Sequence, residues 1–225
     1  MNPLAVGRIL DWDWVGRQLD TIGVQLVEHV QLTAIAVVVG FAISFPLAVF
    51  AYRHKRFYAP ITWVTGVLYT IPSLALFILL IPYTGLSTAT AEIGLVSYTL
   101  LILIRNIVAG LRAVPADVKE AAEGMGYTRR QILWSVELPL ALPVIMAGVR
   151  IATVTTIGLV TVTALIGKGG LGFFILRGLR DFFPTASIVG AVLSVALAVV
   201  ADGLLLLVQR FLTPWARAVK VRAFA

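Results

Sequence analysis

Apolar runs long enough to cross a bilayer recur along this chain and constrain its fold more than any other feature. A spanning helix needs about 18–20 consecutive apolar residues to cover roughly 30 Å of hydrocarbon. Runs of that order lie near 30–51, 59–81, 93–109, 140–166 and 185–209. Inside hydrocarbon the backbone must satisfy its own hydrogen bonds, so such runs become helices. Composition agrees: the chain is 60% hydrophobic and 13% charged, whereas soluble domains average about 45–50% and about 25%. The expected class is an all-α integral membrane protein of about five transmembrane helices. With 225 residues there is room for five or six spans and little else.

The net charge of +7 raises the question of nucleic acid, but the basic residues sit between apolar runs, as they do at membrane faces. Cysteine is absent, which removes disulfides, thiolate metal sites and thiol nucleophiles. Residues 1–28 lack the basic start and short apolar core of a signal peptide, so the N-terminus is expected to be retained. Leu19, Ile22 and Leu26 recur at helical spacing there, and Trp12 and Trp14 suit the headgroup region, so an interfacial helix is expected before the first span.

Five spans place the termini on opposite sides. One face carries Arg53, Lys55, Arg56, Arg105, Arg112, Lys119, Arg129, Arg130, Arg210, Arg217, Lys220 and Arg222. The other carries Arg8, Arg17, Lys168, Arg177 and Arg180. The positive-inside rule puts the richer face in the cytoplasm, with the N-terminus outside and the C-terminus inside. Residues 1–29 then read as an extracytoplasmic or interfacial segment, 30–212 as the membrane domain and 213–225 as a basic cytoplasmic tail.

Between the third and fourth spans lies a polar stretch, 110–138. Pro115 suits a helix start, and Asp117 and Glu120 in the first turn complement the positive end of the helix dipole. Gly124 and Gly126 are expected to break that helix. Thr128 can cap a second one, from Arg129 to Glu137, ending near Pro139. The pair would present Met125, Tyr127, Ile132 and Leu133 beside charged residues, as an amphipathic elbow able to enter a soluble partner.

The order Glu120-Ala121-Ala122, then Gly126, then Val136-Glu137-Leu138-Pro139 resembles the EAA loop of ABC importer permeases, with Val136 where Ile is usual. Further stretches resemble the osmoprotectant permeases of that class. They are Tyr69-Thr70-Ile71-Pro72-Ser73-Leu74-Ala75-Leu76-Phe77, Ile104-Arg105-Asn106, Glu137-Leu138-Pro139-Leu140-Ala141-Leu142-Pro143, and Ala164-Leu165-Ile166-Gly167 before Gly169-Gly170-Leu171-Gly172. The resemblance implies a transmembrane fold similar to that of the methionine permease. It implies a translocation subunit that is not itself an enzyme, in a prokaryotic cell membrane, importing glycine betaine, choline, carnitine or proline.

The loop at 115–139 would dock on a separate ABC ATPase, with Glu120, Ala121, Ala122, Gly124, Gly126, Leu138 and Pro139 as its coupling residues. No cofactor is expected on this chain; ATP and magnesium would sit on the ATPase. A second permease subunit (a copy or a relative), the lipid bilayer and an extracytoplasmic solute-binding protein complete the expected partners, with no nucleic acid. Some relatives carry the binding protein fused at the C-terminus, and this chain is expected to use a separate one.

Other features carry less. Gly167-Lys168-Gly169-Gly170 is not a phosphate loop, because Val162 stands where the earlier glycine belongs and no hydroxyl follows Lys168. Arg150 and Asp202 are charges within apolar runs, near the same membrane face; a buried ion pair is expected, the alternatives being a substrate contact or Arg150 snorkelling to cytoplasmic water. Gly190, Ser194 and Ala198 form a small-residue stripe suited to helix packing. Thr153, Thr156 and Thr163, with Thr155 and Thr161 nearby, divide between bonds to their own backbone and a pathway-lining role. Tyr69, Thr70, Pro72 and Ser73 are further pathway candidates, because Pro72 frees a carbonyl about one turn earlier. Tyr69, Phe77, Tyr83 and Tyr98 offer π faces to a quaternary ammonium, packed aromatics being the commoner meaning. His29 and His54 are not spaced as metal ligands.

Three rival functions remain. A permease for methionine or another amino acid is the nearest. An ion-coupled secondary transporter would show buried titratable residues and paired repeats, of which only Asp202 is visible. A membrane enzyme would need a catalytic constellation that the sequence does not display.

Overall fold

Proline and glycine placement decides where the apolar runs break. The computed structural model describes residues 10–215; the basic positions Arg8, Arg217, Lys220 and Arg222 lie outside the described residues, as do the outer parts of the two terminal segments. Among the described residues there is no strand. The helices are α1 (Trp12–Arg17), α2 (Leu19–Arg53), α3 (Tyr58–Thr70), α4 (Ser73–Thr84), α5 (Thr88–Arg112), α6 (Ala116–Gly124), α7 (Arg129–Ile132), α8 (Leu138–Val160), α9 (Gly172–Arg180) and α10 (Pro184–Leu212). Short 3₁₀ turns occupy Lys55–Phe57 and Thr161–Ile166, and a π turn occupies Leu133–Glu137.

Among the described residues, four stretches are each long and apolar enough to cross a membrane: Leu19–Arg53, Thr88–Arg112, Arg129–Ile166 and Pro184–Leu212. A fifth crossing exists only if α3 and α4 count as one broken span, bent by 94°. The single straight second span expected at 59–81 is therefore corrected. Pro72 disfavours helix at Ile71 before it, and its own ψ of 132° turns the chain out of the helix. The other proline, Pro82, lies inside α4, which continues to Thr84. The expected start of the first span at 30 also moves. Leu19, Ile22 and Leu26 belong to α2 itself, which at 1.5 Å per residue runs about 50 Å.

The chain divides into two packed units, which share the long helices. The first holds the described residues up to Ala36, Ile71–Val96 and Thr153–Val200. Its core joins Leu32 and Ala36 of α2, Phe77 of α4, Ala91 and Leu95 of α5, Val160 and Ile166. His29, fully buried, staples this unit. Its Nδ1 accepts the Leu171 N–H at 3.3 Å, which leaves Nε2–H to donate to the Ile157 carbonyl at 3.0 Å. α1 is capped by Asp11, whose side chain accepts from the Trp14 N–H. The Trp14 ring packs edge-on against Phe174 and Phe183, while Trp12 stays exposed. Of the small-residue stripe, Gly190 packs on the Leu171 carbonyl, with Ser194 back-bonded to Gly190. That part of the stripe serves packing within the chain.

Glu92 in this unit has both carboxylate oxygens enclosed with no hydrogen-bond partner among the described residues. Replacing an unpartnered buried polar group by an apolar one of similar size is close to neutral or stabilising. Glu92→Leu is therefore expected to hold or raise folded yield in detergent; a large loss would show a partner supplied from outside this chain.

The second unit holds Val37–Thr70, Ser97–Ala152 and the described residues from Ala201. Leu103, Ile104, Ile107, Val108 and Leu111 form the buried stripe of α5, at helical spacing. They meet Ala48 and Ala51 of α2, Leu133, and Ala141, Ile145 and Ala152 of α8. Small residues let α5 and α8 approach closely. A Cβ on Gly110 would stand 3.0 Å from the Ala141 carbonyl, and one on Gly148 would collide with Asn106.

Candidate functional site

The polar stretch after α5 lies entirely in the second unit and folds as a helical elbow. α6 starts behind Pro115, carries Asp117 in its first turn, and buries only Ala122. Three backbone bonds close it: Met125 N–H to Ala121 O at 3.1 Å, Gly126 N–H to Glu123 O at 2.9 Å, and Tyr127 N–H to Ala122 O at 3.1 Å. The last two form a Schellman end, which needs a left-handed residue between them. Gly126 supplies it, with φ of +85°. The spacing from Glu120-Ala121-Ala122 to Gly126 is thus the length of one helix end: Ala122 is its buried anchor and Gly126 its left-handed stop. Gly124, expected to help break the helix, is its last residue and has no positive φ. The elbow rests on Gly126 alone.

Thr128 then caps α7 through a reciprocal box with Gln131, in which Thr128 Oγ1 accepts the Gln131 N–H and Gln131 Oε1 accepts the Thr128 N–H. The second elbow helix does not end near Pro139. It continues through the π turn into α8, so Arg129–Ile166 is one long apolar stretch. Pro139 lacks an N–H and its ring crowds the preceding turn. Widening to i→i+5 bonds at Leu133–Glu137, with Leu138 N–H on Leu133 O, lets the helix run past it.

Exposure divides the elbow's apolar residues. Met125 (71%), Tyr127 and Trp134 face outward, whereas Ile132 and Leu133, expected on that face, are buried. Glu120, Ala121, Gly124 and Gly126 are exposed, and Leu138 and Pro139 are half-buried. The elbow thus offers a small mixed surface of apolar and charged groups, carried on a short helix with little attachment to the spans.

One polar cluster beneath it was not singled out from the sequence. The buried Glu137 accepts a hydrogen bond from the Tyr52 hydroxyl at 2.5 Å, and its Oε1 lies 4.0 Å from Lys119 Nζ. Lys119 Nζ also donates to the Tyr52 hydroxyl at 3.5 Å. These residues lie on α2, α6 and the π turn, so no local spacing could announce them. The hint was a carboxylate, Glu137, at the mouth of an apolar run.

The pathway candidates divide. Tyr69, Thr70 and Pro72 are exposed and Ser73 half-buried. Thr70 returns its hydroxyl to Val67 O at 2.8 Å, and the Tyr69 ring stands edge-on to Tyr98 at 5.8 Å. Thr153, Thr156 and Thr163 are buried within the first unit, with Thr163 bonded to Val160 O. They present little accessible surface to a solute in this conformation, because their side chains pack inward. The π-face candidates divide too, with Phe77 and Tyr98 buried and Tyr83 exposed.

Arg150 and Asp202 meet as a fork within the second unit, Nε to Oδ1 at 2.8 Å and Nη2 to Oδ2 at 2.7 Å. The pair is not buried in the chain, its side chains being 25% and 36% exposed. The reason is α10, whose buried residues (Thr185, Ala186, Gly190 and Ser194) all lie in its first half. No group of three or more His, Cys, Asp or Glu side chains suited to a metal is present among the described residues.

The described residues are helical, with several apolar stretches long enough to cross a membrane and a helical elbow between two of them, which is the architecture of a multi-pass membrane protein. The chain belongs to the family described as "Binding-protein-dependent transport system inner membrane component", which it matches over residues 34–214. It is similar to the choline transport system permease protein OpuBB of Bacillus subtilis, 39% identical over 187 residues, covering 83% of this chain and 86% of that one. The osmoprotectant import permease protein OsmW of Salmonella typhimurium is 40% identical over 192 residues, covering 83% and 89%. A carnitine transport permease protein of Listeria monocytogenes is 38% identical over 188 residues, covering 83% and 84%. Among solved structures, inward-facing MetNI methionine ABC transporter matches at TM-score 0.80 and 23% identity, covering 88% of this chain and 98% of that one. That likeness shows the fold.

Proposed function

We propose that this chain is the translocation subunit of an ATP-driven importer for small osmoprotectants of the glycine betaine, choline, carnitine and proline class. Support for the solute comes from relatives at 36–40% identity whose names carry choline, carnitine, glycine betaine or osmoprotectant. Methionine is disfavoured, because the likeness to the methionine transporter is one of fold at 23% identity. Residues 115–139 dock on a separate ABC ATPase in the cytoplasm, and the observation that carries this is the Gly126-closed elbow with exposed Met125, Tyr127 and Trp134. ATP and magnesium sit on that ATPase, and this chain binds no cofactor.

The same reading puts the N-terminus outside and the C-terminus inside, following the basic residues. A second permease subunit shares the pathway, since five spans do not readily enclose one and α10 leaves Val192, Val195, Val199 and Leu204 exposed. An extracytoplasmic binding protein holds the affinity, because a tight site in the pathway slows release. Tyr69, Thr70, Pro72 and Ser73, at the broken helix, are proposed to face the solute.

Proteoliposomes holding the complex should take up glycine betaine, choline or carnitine when ATP is supplied. Methionine uptake without uptake of any quaternary amine would overturn the solute assignment and leave the importer assignment standing.

A further inference from the structure

We infer that Lys119, Tyr52 and Glu137 are positioning residues that tie the elbow to the spans, so that movement of α6 is passed to α2 and α8 together. This rests on the reading of 115–139 as the ATPase-docking segment. α6 has few holds on the body of the protein: one buried residue, Ala122, and an end closed at Gly126. An apolar contact at a single alanine has no direction and lets a short helix slip. The polar relay does have direction. Lys119 on α6 donates to the Tyr52 hydroxyl at the end of α2, and that hydroxyl donates to Glu137.

Glu137 ends the π turn that joins α7 to α8. A π turn carries one residue more than the helix around it, and such bulges concentrate where helices shift for function. The carboxylate is therefore held at the point where α8 can change register, by groups from two other helices. Glu137 is buried and Lys119 is 27% exposed at its side chain. The relay thus lies behind the docking face, and the partner would meet Met125, Tyr127 and Trp134 in front of it.

The test uses the full complex in proteoliposomes, with ATP hydrolysis and solute uptake measured on the same preparation. Tyr52→Phe keeps the ring and removes only the hydroxyl; Glu137→Gln keeps the shape and removes the charge. Both are expected to assemble with the ATPase and hydrolyse ATP, while solute imported per ATP falls about fivefold or more, the lower end of typical coupling strengths. Lys119→Met should behave alike and Lys119→Arg should restore most of the ratio. A wild-type ratio in Tyr52→Phe and Glu137→Gln would overturn the relay and leave the docking segment intact. Loss of ATPase binding in those variants would also overturn it, by placing the residues at the contact itself. Absence of ATP-driven uptake in the wild-type complex would instead remove the importer reading on which the relay rests.

Discussion

A Gly126→Val chain is expected to reach the membrane at close to wild-type level and to lose most of its ATP-driven transport. Gly126 holds φ of +85° with nothing within 4 Å of the place a Cβ would occupy, so the penalty is conformational and not steric. Left-handed backbone costs an ordinary residue about 1–2 kcal/mol, and a β-branched one is a true outlier there. The Schellman bonds to Ala122 O and Glu123 O depend on that conformation. Losing them re-aims Tyr127 and α7, and the face proposed to meet the ATPase changes shape. The spans, whose cores do not include Gly126, should fold as before. Gly126→Ala should show the smaller effect. Gly124→Ala is the control: it lies in helical backbone with open space around it, so it should be neutral or stabilising by up to about 1 kcal/mol. Normal uptake and ATP turnover in Gly126→Val would remove the elbow from the mechanism.

The second large effect is expected at the Arg150–Asp202 fork. Either partner alone leaves a charge among apolar helices, where a lone ion is expensive and has to find water or headgroups. Arg150→Ala and Asp202→Ala should each lower the yield of monodisperse protein several-fold after detergent extraction. Replacing both with leucine should recover much of it, since an ion pair exchanged for apolar groups is often close to neutral. The exchange Arg150→Asp with Asp202→Arg should recover part, limited by the different lengths of the two side chains. Because both side chains keep some exposure, a weaker effect than for an enclosed pair is consistent with the geometry. Wild-type yield from Arg150→Ala would show that the fork contributes nothing to folding.

Hydrophobic patterning was enough to read the class and the existence of the spans, because long apolar runs admit few structures in lipid. The helical elbow was legible from other local signals, Pro115, Gly126 and Thr128, whereas the Gln131 half of the capping box was not read. The rest escaped for physical reasons. The second span reads as one run because hydropathy is blind to backbone angle, yet Ile71-Pro72 breaks it. The join at Pro139 reads as a helix end because proline usually is one, yet a π turn absorbs it. Ile132 and Leu133 read as docking residues when the helix is taken to stop, but the same helix continuing inward buries them. The His29 staple and the links of Tyr52 to Glu137 and Lys119 join positions 67 to 142 residues apart, and side-chain meetings of that kind leave no mark on spacing. The candidate pathway was legible as a list of polar residues and not as a surface, since burial separates Thr156 and Thr163 from Tyr69 and Thr70.

The absence of cysteine makes one measurement especially direct. Met125→Cys places a single thiol at the exposed tip of the elbow. In intact cells this thiol should resist a membrane-impermeant maleimide, and in inverted vesicles stripped of the ATPase it should react. With the ATPase present, a short bifunctional reagent should join Cys at this position to that subunit and to no other. Labelling from outside the cell, or an absence of any ATPase cross-link in a complex that transports, would contradict the assignment of residues 115–139 as the cytoplasmic coupling segment.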